Sequence, residues 1–467
     1  MRLQSTNWRR MLRQRFARRA AGLAVVFGFF LPGSPLRAGL WITGYYPQYE
    51  QSQMPVSKID FTTVTHVIHF CLEAEPDGTI NSADNGLTRS ACSNFVATVH
   101  NAGRKALICV GGAGSETGFE GATTAASLPA FVSSLAGFMS SNNYDGMDID
   151  WEPLSAADGQ QYTNFVKALH SALNEYSPQK MLTVAAPAYP VFGDPPAAEY
   201  TMFASIQNQF DQINIMTYDL SGPYPGWVTW FNSPIYDGGY TFPSTGGLVP
   251  SVNGAVDNFI SNGVAPGKLA VGLPFYGYIW TGVTLPREGW SSTNTPTFSA
   301  FTYQTIVSTY YQSNCYHWDA NAQAAYLSLT NAQPANGMFV SYDDTPACQT
   351  KVSYARNRGL GGIMIWELSQ DYFANQSAGQ GSPLIQALSQ SLATPQILSA
   401  EILGGSVAFS FSSLPLAQYR ILWTSNLNSG AWETLTNNIP GTGDPVWITD
   451  PVGIGAAARF YRVQTPP

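Results

Sequence analysis

Residues 144–153 read Tyr144-Asp145-Gly146-Met147-Asp148-Ile149-Asp150-Trp151-Glu152-Pro153, and the alternation within them decides the fold. On a β-strand, successive side chains point to opposite faces, so Asp148, Asp150 and Glu152 share one face while Met147, Ile149 and Trp151 share the other. A solvated strand does not carry a Met-Ile-Trp face. In a closed barrel of parallel strands the apolar set packs under the helices and the carboxyl groups enter the barrel. A calcium-loop reading fails, because the stretch lacks the glycine and the distal glutamate of an EF-hand.

Outward from this strand, one unit recurs between residue 39 and about residue 390: a short apolar strand, then a helical segment. Strands are expected at Leu40–Tyr46, Val64–Cys71, Ala106–Gly111, Gly146–Trp151, Leu182–Ala186, Gln212–Tyr218, Leu269–Phe275 and Gly361–Trp366. Leu128–Ser140 and Asp158–Tyr176 carry helical patterns, the latter with Tyr162, Phe165, Val166, Leu169 and Leu173 on one face. Eight such units predict an α/β fold, a (β/α)8 TIM barrel, over residues 39–392. No G-x-G-x-x-G opens a helix, which disfavours a dinucleotide fold. A Tyr-, Thr-, Ser- and Trp-rich excess over about residues 279–338 predicts a small α+β insertion between strands 7 and 8. Residues 395–467 alternate apolar and polar positions between turn formers and predict a C-terminal all-β sandwich-like module. Its Trp423, Trp432 and Trp447 read either as an exposed platform or, preferred on the alternation, as core of a spacer domain.

Three carboxyl groups spaced by about 6–7 Å along one strand face cannot all ionise cheaply in a dry interior. At least one pKa must rise, the condition for a general acid near neutral pH. Glu152, last of the three, falls at the C-terminal rim where barrel active sites lie.

Only 11% of the 467 residues are charged, while 45% are apolar and 13% aromatic, which excludes a disordered chain. Residues 1–38 hold eight of the 22 basic residues and no acid. A basic stretch over 1–19, an apolar run Ala20–Leu31 and small residues to Ala38 predict a signal peptide, cleaved after Ala38, and a secreted protein, extracellular or periplasmic. Arg9-Arg10 leaves the export route open. The remainder carries 14 basic and 30 acidic residues, a formal charge of −16 that disfavours nucleic acid and anionic bilayers. Five cysteines and no CxxC give neither a disulfide scaffold nor a zinc ribbon. If bridges form, Cys71–Cys92 and Cys315–Cys348 close the shorter loops, and Cys109 is expected to be a buried thiol. No metal site is expected, since His66 and His69 point to opposite faces of their strand.

Asp145–Glu152 (DGMDIDWE) resembles the D-x-x-D-x-D-x-E signature of glycoside hydrolase family 18, the chitinase family. Further segments follow in that family's order: Gly44–Pro47, Cys109–Gly112 in place of S-x-G-G, Gln212–Asp219 (QINIMTYD) and Gly361–Asp371 (GGIMIWELSQD). The resemblance covers residues 39–390, and the insertion is similar to that of the deep-cleft subgroup. It implies a chitinase cleaving β-1,4-linked N-acetylglucosamine with retention, without cofactor, with chitin or chitooligosaccharides as its partner, and a monomer is expected. Glu152 would be the proton donor, with Asp150 orienting the substrate's acetamido group and sharing a proton with Asp148. Tyr218, Asp219, Met216, Trp366, Tyr45, Trp227 and Tyr276 would bind substrate. Trp230, Trp280 and Trp290 join Trp227 as candidates for stacking on sugar faces. Tyr278 departs from the arginine that follows F-Y-G in many members. An endo-β-N-acetylglucosaminidase and a non-hydrolytic chitin-binding lectin are the alternatives, and lectin-like members typically lack the final glutamate.

Overall fold

The computed structural model describes residues 39–464 apart from 292, 294, 331–336, 378, 379, 394, 404, 405, 414–417, 428, 429, 443, 444 and 452–457. The signal peptide expected over 1–38 lies outside the described residues. The described chain divides into two compact units, one spanning Leu40–Ser391 and the other beginning at Leu392.

In the first unit, eight parallel strands close on themselves. They are β1 Trp41–Pro47, β2 His66–Ala74, β3 Lys105–Ala113, β4 Gly146–Glu152, β5 Met181–Pro187, β6 Gln212–Met216, β7 Leu269–Pro274 and β8 Gly362–Trp366. Each pairs with the next, β8 pairs with β1, and the β1–β2 ladder from Thr43↔His66 to Pro47↔Phe70 completes the ring. This is the (β/α)8 barrel. Strand β6 stops two residues short of the expected Tyr218 because the chain turns into a left-handed conformation at Asp219, whose φ is 56°.

The apolar face of β4 explains its helices. Trp151 stacks on Phe119 of the helix Glu116–Ala122, with ring centroids 4.7 Å apart and planes 7° from parallel. Its edge meets Tyr162 at 5.9 Å, on the helix Gly159–Asn174. Tyr162, Phe165, Val166, Leu169 and Leu173 of that helix are all buried, each contributing about 1.5–3 kcal/mol. Ahead of this helix, a capping box formed by Ser155 and Asp158 turns the chain away from the end of β4.

The insertion is a five-stranded antiparallel sheet in the order Thr297–Thr302, Tyr276–Thr281, Met338–Tyr342, Ala324–Leu329, Tyr316–Asp319. Its first strand starts two residues after β7 and its ladder with Met338–Tyr342 reaches Gly277↔Tyr342, so the sheet is wider than 279–338. Trp230, Phe231, Trp280 and Phe339 form its core with Val228 and Val249, which come from the long loop after β6. Trp230 and Trp280 are fully buried. That corrects the expectation that they stack on sugars: both rings are used up in joining the loop to the sheet.

In the second unit, strands Ile397–Leu403, Ser406–Phe411 and Val446–Asp450 form one antiparallel sheet, and Glu433–Pro440, Gln418–Thr424 and Phe460–Gln464 form another. Phe409 and Phe411 from the first sheet and Tyr419 and Ile421 from the second make the core. The tryptophans do not. Trp423 lies 3.7 Å under the Arg459 guanidinium, Trp432 is only partly buried, and Trp447 is 48% exposed. Phenylalanine and tyrosine rings fill the core in their place.

No disulfide forms among the five cysteines. Cys71 points into the barrel interior, in one cluster with Cys109, whereas Cys92 lies on the outer helix Arg89–Asn101 beside Tyr144. The barrel wall separates that pair. Cys348 is buried on the helix Thr345–Asn357, while Cys315 lies in the turn that precedes Tyr316–Asp319.

Candidate active site

The inward face of β4 carries the chemistry. Asp145 does not belong to it: it precedes the strand and accepts from Ala106 N–H, His100 and Lys105 at the N-terminal end of the barrel. Asp148, fully buried, accepts from the Tyr45 hydroxyl at 2.7 Å and from Thr183 Oγ1 at 2.5 Å. The Cys109 thiol is a third donor. Burial lifts Asp148 to about 6, against the pull of these three donors. Thr183 was missed in the sequence, although its place between outward Leu182 and Val184 on β5 marks it as inward.

Asp150 lies one step up, buried, with its carboxyl hydrogen-bonded to Glu152. Burial raises its pKa well above the usual carboxylate range, and the charges of Glu152 and Asp148 add to the rise. Glu152 is partly exposed at the end of β4. Its pKa is raised as well, first by burial and also by the charge of Asp219, while the bond from Asp150 works the other way. Burial thus favours the protonated form of all three carboxyls, and a hydrogen bond joins Asp150 to Glu152. Asp150 Oδ1 has no hydrogen-bond partner. Ser115 Oγ fixes the backbone here, accepting from Glu152 N–H at 3.0 Å and donating to the Asp150 carbonyl at 3.2 Å.

The walls come from β1, β6, β7 and β8. Tyr218 is buried and directs its hydroxyl toward Met364 Sδ at 3.8 Å. Met216 packs partly buried on the same interior cluster. Trp366 meets Phe70 edge-on at 4.8 Å and Tyr45 at 5.3 Å. The peptide bonds Phe70–Cys71 and Trp366–Glu367 are cis. Asp219 is exposed, and its Oδ1 accepts from Tyr276 at 2.5 Å and Tyr278 at 2.7 Å. Tyr45 differs from expectation. It is 1% exposed and its hydroxyl is engaged by Asp148, so it supports the carboxyl column from below and presents no face to a ligand. Trp227 sits apart from this cluster, in the β6 loop against Tyr224 and Phe242. Trp290 leans on Trp280 in the inserted sheet.

Chemically, a partly exposed protonated carboxyl at a barrel rim can donate a proton to a leaving oxygen, and the buried acids beneath can replenish or redistribute it. The acids, phenols and indole converge at the C-terminal mouth, the position of active sites in this fold.

Chitinase 1 of Aphanocladium album is 28% identical over 356 residues, 70% of this chain and 78% of that protein. The solved Group IV chitinase of Ostrinia furnacalis shares the fold with a TM-score of 0.64, over 76% of this chain and 100% of its own, at 24% identity. A mutant class V chitinase from Nicotiana tobaccum, solved in complex with NAG4, aligns over 76% of this chain and 99% of its own, at 25% identity and a TM-score of 0.60. The family model of the Glycosyl hydrolases family 18 matches residues 41–371, the barrel with its insertion. The chain belongs to that family and is a glycoside hydrolase.

Proposed function

We propose that this hydrolase is an exported chitinase, cleaving β-1,4-linked N-acetylglucosamine polymers with retention by substrate-assisted catalysis. The observation that carries the reading is the buried β4 column, in which Asp150 is hydrogen-bonded to Glu152 above Asp148 and burial favours the protonated form of each, so that Glu152 and Asp150 can each bring a proton. Glu152 donates the proton to the glycosidic oxygen. The substrate's acetamido carbonyl oxygen attacks the anomeric carbon, giving an oxazolinium ion and retention once water opens it, a known exception to the two-carboxylate scheme. Asp150 Oδ1, buried and unpartnered, is the acceptor for the acetamido N–H. As that bond forms, the Asp150 proton can pass to Asp148, whose three donors suit it to carry charge until then. Tyr218 and Asp219 hydrogen-bond the same group, and Trp366 forms the floor under the distorted sugar.

Exposed aromatic rings on the loops after β1, β5 and β6, namely Tyr49, Phe192, Tyr224 and Tyr236, suit a chain of pyranose rings, each offering an apolar face and a polar rim. The complex of the tobacco relative with NAG4 supports the same substrate class.

A timed product profile on chitin hexamer and on a high-mannose glycan tests the reading, for the wild type and Glu152→Gln. Hexamer cleavage with initial β-anomers is expected, with turnover in Glu152→Gln lower by about 10²–10⁴ and oligomer binding retained. Cleavage of the glycan between its two core N-acetylglucosamines instead would establish the glycan-cleaving alternative. Binding with no reducing sugar released between pH 4 and pH 9 would leave only a lectin. For export, a mature N-terminus at Gly39 after secretion is the expected result.

A further inference from the structure

We propose that Tyr278 is a positioning residue for Asp219: its phenol, delivered by the inserted sheet, fixes the carboxylate that stands beside the top of the β4 column. The inference rests on the acid role of Glu152 proposed above and extends the site to a residue of the inserted sheet.

Asp219 is exposed, just past β6, on a left-handed backbone. An exposed aspartate ordinarily samples several rotamers. Here both of its ends are tied to the inserted sheet. Its N–H donates to Asn232 Oδ1 at 2.8 Å, and Asn232 N–H donates to Ser341 Oγ at 2.8 Å. Its Oδ1 takes the hydroxyls of Tyr276 and Tyr278, which lie two apart on one strand and so share a face. Ser341 and Tyr278 are direct cross-strand partners. One rung of the sheet therefore sets the backbone of Asp219 through Ser341 and its side chain through Tyr278. Phe298 stacks on Tyr278 at 3.9 Å with planes 14° apart, which holds the phenol in place. Both hydroxyls converge on the same oxygen, Oδ1.

The identity of the donor matters as much as its position. An arginine here would orient Asp219 and cancel its charge. A phenol orients it and leaves the charge intact, so Asp219 continues to favour the protonated form of Glu152. Glu152 is faced by Asp150 on its own strand and by Tyr218 and Asp219 from the segment after β6. Asp219 is in turn faced by Tyr218, Tyr276 and Tyr278, with Tyr224 beyond Tyr278. Burial, with Asp219 adding to it, pushes the Tyr276 and Tyr278 phenols up, so both remain protonated donors in the working range.

Tyr278→Phe keeps the ring and the stack on Phe298 and removes only the hydroxyl. On chitin hexamer, KM is expected to rise about fivefold or more, with kcat less affected. The basic limb of kcat/KM, where Glu152 loses its proton, is expected to move to lower pH as Asp219 swings free. Tyr278→Arg restores a donor and cancels the charge, so KM should recover while the limb stays acid-shifted. Unchanged KM and limb in Tyr278→Phe overturn the proposal. So does a loss of activity uniform in pH that merely follows a lower melting temperature, which is what a packing role predicts. These results are separable from the parent reading: full turnover in Glu152→Gln removes the acid assignment itself, whereas a dead Glu152→Gln beside an unaltered Tyr278→Phe removes only this inference.

Discussion

At the scale of single residues, Asp148 shows how a buried acid is set by its donors. Burial raises it to about 6, and Thr183, Tyr45 and Cys109 each pull it down. If ionised Asp148 is needed to take up the Asp150 proton, activity rises with pH as Asp148 deprotonates. Thr183→Val removes the donor to Oδ1 and should move this acid limb to higher pH, costing about tenfold in kcat at pH 5. Cys109→Ser replaces a weak thiol donor by a hydroxyl and should move the limb the other way. A pH–rate profile of both variants decides, and limbs moving together would refute the donor argument. The acids were legible in the sequence because a period of two is geometric: Asp148, Asp150 and Glu152 had to share a face. The role of Tyr45 was not legible. A tyrosine at the end of a barrel strand serves equally as ligand wall or as support, and only the 2.7 Å bond to Asp148 across the barrel distinguishes them. Tyr278 was hidden for a similar reason, since its partner Asp219 lies 59 residues away.

At the scale of elements, β3 and β4 approach more closely than side chains allow. Gly111 pairs with Asp150 at φ 114°, and a Cβ there would lie 1.9 Å from the Asp150 carbonyl oxygen. Gly111→Ala must displace β4 at the level of its middle carboxyl, in a backbone region that alanine rarely adopts. We expect a loss of about 3 kcal/mol or more in stability. Turnover should fall by more than the unfolded fraction explains. Thermal melts alongside kcat measure both, and a variant that is stable yet fully active would show that β4 tolerates the shift. The eight strands were legible because each is a short apolar run, and every one begins within two residues of its expected start. Trp230 and Trp280 misled because neither carries a local sign of burial. The loop after β6 and the sheet after β7 bury each other, and neither pattern alone reveals its partner. The tryptophans of the C-terminal unit misled in reverse, since alternation marks a strand face without saying how thick the gap behind it is.

At the scale of the whole molecule, the first unit buries carboxyl groups whose pKa values are raised. Asp148 is pushed to about 6, Glu367 to about 7 and Asp371 to about 8, with burial the first cause each time. Unfolded carboxyls titrate near pH 4. Between about pH 4 and pH 8 the native state therefore binds more protons than the unfolded chain, and stability falls as pH rises. Their contribution is complete below about pH 4 and is lost as pH climbs through the folded values. Asp371 offers the cleanest separation of this effect, because its pKa is the highest of the three and it lies in no part of the proposed site. Its Oδ2 accepts from Leu384 and Ile385 N–H at the start of the helix Pro383–Ala393, and the Ser382 hydroxyl also donates to the carboxyl. Asparagine keeps an oxygen for those two donors and has no proton to lose. In Asp371→Asn the decline of melting temperature between pH 6 and pH 8 should therefore be shallower than in the wild type, with the two curves closest at pH 5. Parallel curves would place the pH dependence in surface repulsion among the excess acids. A variant destabilised equally at every pH would show that the Oδ1 site rejects an amide, and the linkage would then be read from Glu367→Gln, whose own window closes near pH 7.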